Sequence, residues 1–346
     1  MAISVGYFYR MLSLSWHPRL TSGCAAFLFV AAMFASVVPA LAQASPSPTK
    51  VYTGVYVNDI QDVNLETDTY TVDFYIWMRW NNPKVDPSSE IDLMNSYDSW
   101  GTVATPATEK PVRLKDGSMY RLIHYQGKFN TKFPLTKYPF DRQDLTVQIE
   151  DFNSSSEKVV FVPDAKPVEL ASGLSLPGYE VGAPTMTIAD QPYSTTFGDT
   201  GLKAPADYSR ITVTVPVTRP GLPYTVKLLL PMLVVLLCAG LVFLISPIHI
   251  DGRIALAITA LLTLVALKFM VDSELPNVDY LTMVDAIYIV AFASVGMGLL
   301  QVVLSSRRLN RGESVDVIIA RDHKTLMIGG AAYLTVSAIV VAAFLL

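Results

Sequence analysis

The stretch Arg219–Asp272, RPGLPYTVKLLLPMLVVLLCAGLVFLISPIHIDGRIALAITALLTLVALKFMVD, decides how the rest of the chain reads. It holds two apolar runs, Tyr224–Ile245 and Ile254–Val271. Each is near the roughly 20 residues an α-helix needs to cross a bilayer. Two more follow, Leu281–Ser305 and Leu326–Leu346. Four such runs in a row predict a membrane bundle; buried helices of a soluble protein are the alternative. Hydrophobic residues make up 51% of the chain and charged residues only 16%, which favours the membrane. A net charge of −4 argues against a nucleic-acid partner. The second run carries Thr259, Thr263 and Lys268 and is flanked by Asp251, Arg253 and Asp272. A membrane helix with polar residues and charged ends touches water or protein rather than lipid alone.

Upstream of Arg219 the pattern changes period. In Thr71–Trp80, Val72, Phe74, Ile76 and Met78 alternate with Thr71, Asp73, Tyr75, Trp77 and Arg79, which predicts a strand with one apolar face. Further strands are expected at Val51–Val57, Met119–Tyr125, Leu145–Glu150, Lys158–Val162, Thr185–Ala189 and Arg210–Val217. Turn clusters such as Asn81-Asn82-Pro83, Lys115-Asp116-Gly117 and Pro177-Gly178 separate them. Many short strands without an amphipathic helix predict an antiparallel β-sandwich. The expected organisation is a signal peptide over 1–42, a flexible linker over 43–50, the β-sandwich over 51–222 and a transmembrane domain over 223–346. Arg10, His17 and Arg19 precede the apolar run Cys24–Val38, and Ala40-Leu41-Ala42 fits a cleavage site, with Ala44 as a second possible cut. An uncleaved anchor helix is the alternative. The remaining cysteine, Cys238, lies in a membrane run, so no disulfide is expected in the outer domain.

Charge sets the expected sidedness. Arg307, Arg308, Arg311, Arg321 and Lys324 crowd the link between the third and fourth runs, which the positive-inside rule places in the cytoplasm. The link between the second and third carries Asp272, Glu274 and Asp279 and no basic residue, so it faces outward, on the side to which a signal peptide would send the β-domain.

The run Tyr138-Pro139-Phe140-Asp141-Arg142-Gln143 resembles the signature loop of the pentameric ligand-gated ion channels, the Cys-loop receptor superfamily. Thr131 and Leu145 stand where animal members carry the loop cysteines, as in bacterial members that lack them. Thr71–Trp80, the strand ending at Arg219, Leu229-Leu230-Pro231-Met232 and Leu275-Pro276 resemble the family in the same order. The resemblance implies a homopentameric ion channel in a bacterial inner membrane, with the β-domain outside, whose pore through membrane lipid opens in response to a small-molecule agonist or protons; five Asp251 side chains around one axis would concentrate cations, so permeating cations are expected. No cofactor is implied, and no metal-ligand spacing, nucleophile elbow or phosphate loop is present to suggest an enzyme. A non-conducting membrane-anchored sensory module and a membrane-bound hydrolase are the rival classes.

The resemblance also assigns residues. Aligned back from Leu275-Pro276, Asp251, Ala255, Thr259, Leu262, Ala266 and Phe269 fall on one pore-facing stripe; their spacings of four and three keep to one helix face. A plain apolar packing face is the alternative. Arg253 is expected to point away from the pore, and Lys268 towards a neighbouring helix or the outer vestibule. Asp141 is expected to pair with Arg219, joined by Glu66, with Tyr138, Pro139, Phe140 and Pro276 forming the coupling zone; a solvated Asp141 and a snorkelling Arg219 are the alternative. Tyr193, Phe197 and Tyr208, with Phe152 and with Trp77 from the adjoining subunit, are the aromatic candidates for an agonist site by cation–π attraction. The family's tryptophan-x-proline in 95–106 is missing; only Trp100 remains, which leaves protons as an alternative stimulus acting on acids such as Glu66, Asp68, Asp141, Asp144, Glu150 and Asp151.

Overall fold

The computed structural model describes residues 47–198, 200 and 206–346. The expected signal peptide and most of the linker, up to residue 46, lie outside the described residues. The linker boundary is corrected at its other end: β1 begins at Thr49, where Thr49 and Lys50 pair with Val159 and Val160.

The β-domain comprises β1 (Thr49–Asn64), β2 (Thr69–Trp80), β3 (Ile91–Leu93), β4 (Val103–Pro106), β5 (Val112–Arg113), β6 (Met119–Asn130), β7 (Arg142–Asp151), β8 (Val159–Leu170), β9 (Glu180–Val181), β10 (Thr185–Tyr193) and β11 (Ala206–Thr218). One sheet runs β4-β6-β2-β1-β8, with β5 also on β6; the other runs β10-β11-β7-β3, with β9 also on β11. The alternation read in β2 holds: Val72, Phe74, Ile76, Met78 and Trp80 are buried, and the residues between them are half-buried. These side chains join Val55, Val57 and Phe129 from their own sheet and Leu145, Val147, Ile149, Ile211, Val213 and Val215 from the other in one core. Period-two patterning dictates this, because one face of each strand must leave water.

Two expectations are corrected. The sandwich is not wholly antiparallel, since β8 runs parallel to β1. The chain leaves β7 in one sheet and enters β8 in the other, so β8 meets β1 from the same end. The strands are also longer than their apolar cores suggested: β6 continues past Tyr125 to Asn130, and β8 continues past Val162 through Pro163. The register shifts just after that proline, which has no N–H for the ladder: Thr53 pairs with Pro163 and Val55 with Val168, so the extra residues lie in β8.

Four helices follow, each long and apolar enough to cross a membrane, which is the layout of a multi-pass membrane protein. They are α1 (Gly221–Leu241), extended by a 3-10 turn over Val242–Leu244, α2 (Ile250–Asp272), α3 (Met283–Asn310) and α4 (Val315–Leu345). The expected spans were about 224–245, 254–271, 281–305 and 326–346. The starts move for local reasons. Asp251 sits in the first turn of α2, where the helix dipole favours an acid. Thr282 and Asp285 close a capping box at α3. The largest difference is at α4, whose charged first turns are helical rather than part of the link; Arg321 pairs there with Glu313 at 3.1 Å and Asp322 with Arg253. Large apolar side chains such as Leu237, Met327 and Leu334 stay exposed on the outer helix faces, as lipid contact requires.

One glycine controls the packing of β1 on β2. Gly54 on β1 lies opposite Trp77 on β2, and a Cβ placed there would sit 2.0 Å from the indole ring. Gly54→Ala is expected to lower stability by about 1–3 kcal/mol, as overpacking does. The check is a thermal unfolding comparison, with Trp77→Leu in the same chain recovering part of the loss.

Candidate functional site

The residues singled out in the sequence fall into three zones. The first is the seam between the sandwich and the helices. The loop from β6 to β7 carries Tyr138, Pro139, Phe140 and Asp141, and its Tyr138–Pro139 bond is cis. At the end of β11, Arg219 donates from Nε to Asp141 Oδ1 at 2.9 Å and from Nη2 to the Tyr179 hydroxyl at 2.7 Å. The other Asp141 oxygen accepts from Gln143 Nε2. The rings of Tyr179, Tyr224 and Tyr138 surround the guanidinium at 4.7, 5.0 and 5.1 Å. The Arg219 and Asp141 side chains are 5% and 1% exposed, so the pair is buried rather than solvated or snorkelling.

Burial alone would weaken the charge on Arg219, but Asp141 and the tyrosines more than offset it and its pKa is raised. Desolvation likewise pushes the Tyr179 hydroxyl up to about 12 and raises Tyr138, whose hydroxyl lies 2.8 Å from that of Tyr224. Tyr138 and Tyr179 therefore stay neutral and the arginine stays charged.

The same loop holds the α2–α3 link. Leu135 N–H donates to the Tyr280 hydroxyl at 3.0 Å, and Met283 N–H to the Thr136 carbonyl at 3.0 Å. Phe140 rests against Gly221 at the start of α1, where an added Cβ would come within 3.3 Å of its ring. Pro276 is half-buried and lines a cleft of about 280 Å³ with Asp68, Lys132 and Phe133. Glu66 does not join the cluster. It is exposed on the β1–β2 turn and makes no ion pair with Arg219; the tyrosines fill the remaining sides of the guanidinium. Tyr179, Tyr224 and Gln143 were not foreseen. Gln143 and Tyr224 stand within a few residues of Asp141 and Arg219, a weak sequence signal; Tyr179 carries none.

The second zone is aromatic. Tyr193 meets Phe197 and Tyr208 edge-on, each at 5.5 Å between ring centroids. Beneath them Tyr193 donates to Glu150 at 3.1 Å and accepts from Arg210 Nη2 at 2.9 Å, while Arg210 Nε pairs with Glu150. Phe197 is exposed and Tyr208 buried. Phe152 lies exposed just past β7. Trp77 belongs to the other sheet, where its indole N–H donates to Asp164 at 3.0 Å; the chain does not bring it to the three clustered rings. Next to Glu150, Asp151 is buried, with Oδ1 accepting from the Asn153 and Ser154 N–H groups and Oδ2 lacking any partner among the described residues. Its pKa is raised, chiefly by desolvation, which those two hydrogen bonds only partly offset.

The third zone is one face of α2. Asp251, Ala255, Thr259, Leu262, Ala266 and Phe269 are all exposed, Leu262 at 64% and Phe269 at 69%. The opposite face, Arg253, Ala257, Ala260, Leu264 and Val271, is buried against the chain's own helices. A plain internal packing role for the stripe is therefore excluded within one chain. Arg253 points away from the stripe into the bundle, and Lys268 reaches Asp285 on α3 at 2.8 Å as well as Asp272.

The chain matches no protein-family model.

Two outcomes are expected of these zones. Arg219→Gln or Asp141→Asn leaves one buried partner uncompensated and should cost about 3–5 kcal/mol, measured as loss of thermal stability in detergent. For Asp151, a raised folded pKa means that stability is fully present below the unfolded pKa and is lost as pH rises through the folded value. Asp151→Asn keeps the acceptor for Asn153 and Ser154 but cannot ionise. It should be more stable than the parent at pH 7, with the difference shrinking on acidification towards pH 4; a constant gap across that range would contradict the assignment.

Proposed function

We propose that this chain is the subunit of a homopentameric ion channel, gated by a small ligand or by protons and selective for cations. It is not an enzyme. Five copies of α2 enclose a wet passage across a bacterial inner membrane, with the β-sandwich on the outer side. The observation that carries this reading is the uncovered stripe of α2. A membrane helix whose one face is buried in its own subunit, and whose other face bears hydroxyl, carboxylate and apolar residues in turn, suits the lining of a pore. The fold order of β-sandwich then four spans, and the resemblance of Tyr138–Gln143 to the signature loop of pentameric ligand-gated channels, support it.

In this reading Asp251 rings the inner mouth and concentrates cations. Thr259 supplies a hydroxyl ring. Leu262, Ala266 and Phe269 form apolar rings that stop ions by dewetting when the bundle narrows. The stimulus acts at the aromatic zone, where Tyr193 and Phe197 present ring faces above the buried Tyr208, Phe152 adds a wall, and Trp77 is contributed by the adjoining subunit. Its effect reaches the gate through the seam: β7 begins beside Asp141, β11 ends beside Arg219, and the β6–β7 loop holds the link that contains Pro276. The stimulus must bind the open form better, because a ligand of equal affinity for both forms shifts nothing. The rival, a non-conducting sensory module, shares the seam and the aromatic zone but gives no role to the stripe.

Purified protein in planar bilayers, scanned over pH and a panel of amines, is expected to pass cation current. Asp251→Asn should move the reversal potential in a salt gradient towards zero, and Leu262→Ser, by wetting an apolar ring, should raise the open probability. Silence of the assembled wild-type protein under every stimulus would favour the rival.

A further inference from the structure

Arg253 and Asp322 form a buried ion pair deep among the helices that the channel reading leaves without a task. The Arg253 side chain is 0% exposed and that of Asp322 1%. Arg253 donates from Nη2 to Asp322 Oδ2 at 2.6 Å and from Nε to the carbonyl of Val242, at the end of α1, at 3.0 Å. The other Asp322 oxygen accepts from Ser305 Oγ at 2.8 Å and Gln301 Nε2 at 3.1 Å, both on α3. Asp322 is the one carboxylate within salt-bridge distance of Arg253 among the described residues. Ile318 and Asp322 are the buried residues of α4. A charged residue is thus among the few anchors of an otherwise lipid-facing helix.

The position of Arg253 gives the pair its meaning. It lies two positions after Asp251, which places the two side chains about 200° apart around the helix. A guanidinium does not give up its proton in a protein. Without Asp322 it would therefore either stay buried as an uncompensated positive charge or swing to the nearest water. That water lies at the N-terminal end of α2, where Asp251 is exposed. Both outcomes oppose the negative charge of Asp251, and five subunits would repeat them around one axis.

We propose that Asp322 is a selectivity-determining positioning residue: from α4 it draws Arg253 off the mouth and neutralises it, so that the charge of Asp251 acts on ions unopposed. This role rests on the channel reading, with Asp251 at the inner mouth.

The test is the reversal potential of wild type, Asp322→Asn and the double variant Arg253→Met/Asp322→Leu in a potassium chloride gradient. Asp322→Asn frees the cation and should lower the potassium-to-chloride permeability ratio about tenfold, the factor that corresponds to ~1.4 kcal/mol at the mouth. The double variant removes both charges, a replacement that buried ion pairs tolerate, and should keep the wild-type ratio. A merely structural pair would give the opposite ordering or no shift. If Asp322→Asn subunits do not assemble alone, they are co-expressed with wild-type subunits, and the shift should grow with their share of the pentamer. An unchanged potential in Asp322→Asn or in the mixed pentamers overturns the proposal, as does a double variant shifted as far as the single one. A wild type that conducts nothing defeats the channel reading together with this role; a conducting wild type with an unresponsive Asp322→Asn defeats this role alone.

Discussion

The buried pair of Arg219 and Asp141, closed in by Tyr138, Tyr179 and Tyr224, is the constraint on which the rest of the structure turns. A β-sandwich made for water and a helix bundle made for lipid share little surface, and the chain passes between them only once in the described residues, through Thr218–Gly221. A single covalent passage leaves two domains free to swivel. The ion pair limits that freedom through what surrounds it: Arg219 lies over the ring of Tyr224 in α1, and the Tyr138 hydroxyl lies 2.8 Å from that of Tyr224. Its cost in desolvation is offset only while every partner is in place, including the Tyr179 hydroxyl and the Gln143 amide. The loop that supplies Asp141 also supplies the backbone contacts to the α2–α3 link at Tyr280 and Met283.

A second buried pair does comparable work at the far end of the helices. Arg253 on α2, Asp322 on α4, the Val242 carbonyl after α1 and the α3 side chains Gln301 and Ser305 meet at one point. Apolar side chains in lipid give little direction to helix packing, since lipid tails are as apolar as leucine. A hydrogen-bonded charge has no such indifference: one arrangement satisfies it and others do not. This explains why α4 is continuous through Arg321, Asp322 and Lys324, where composition alone suggests a polar link. Lys268, bridging Asp272 and Asp285, acts similarly between α2 and α3 at the opposite end.

The aromatic zone differs in kind. Tyr193, Phe197 and Tyr208 lie over an arginine and a glutamate that already satisfy one another, so the rings rest on a neutral base rather than an open anion. A cation arriving there would be held by ring faces more than by charge, whereas protonation at the neighbouring Asp151 would relieve a desolvated carboxylate. Tyr193, Tyr208, Glu150 and Asp151 thus lie within one small region of β7, β10 and β11.

The amino-acid order alone settled whatever depends on local period. Alternation in Thr71–Trp80 specified a half-buried strand, four apolar runs specified four spans, and Asp251 to Phe269 specified one face of a helix, because side-chain direction follows from backbone geometry over a few residues. It also pointed to Asp141 and Arg219 as partners, through the resemblance of the loop around Pro139. The fold alone could reveal which groups meet across long separations. Tyr179 closing on Arg219, Glu66 left outside that cluster, β8 lying parallel to β1, and Asp322 reaching back to Arg253 leave no periodic trace, since nothing in a linear sequence encodes the partner of a charge. The choice is made when packing excludes water, for then a buried charge must find a counter-charge and only three-dimensional proximity determines which one is within reach.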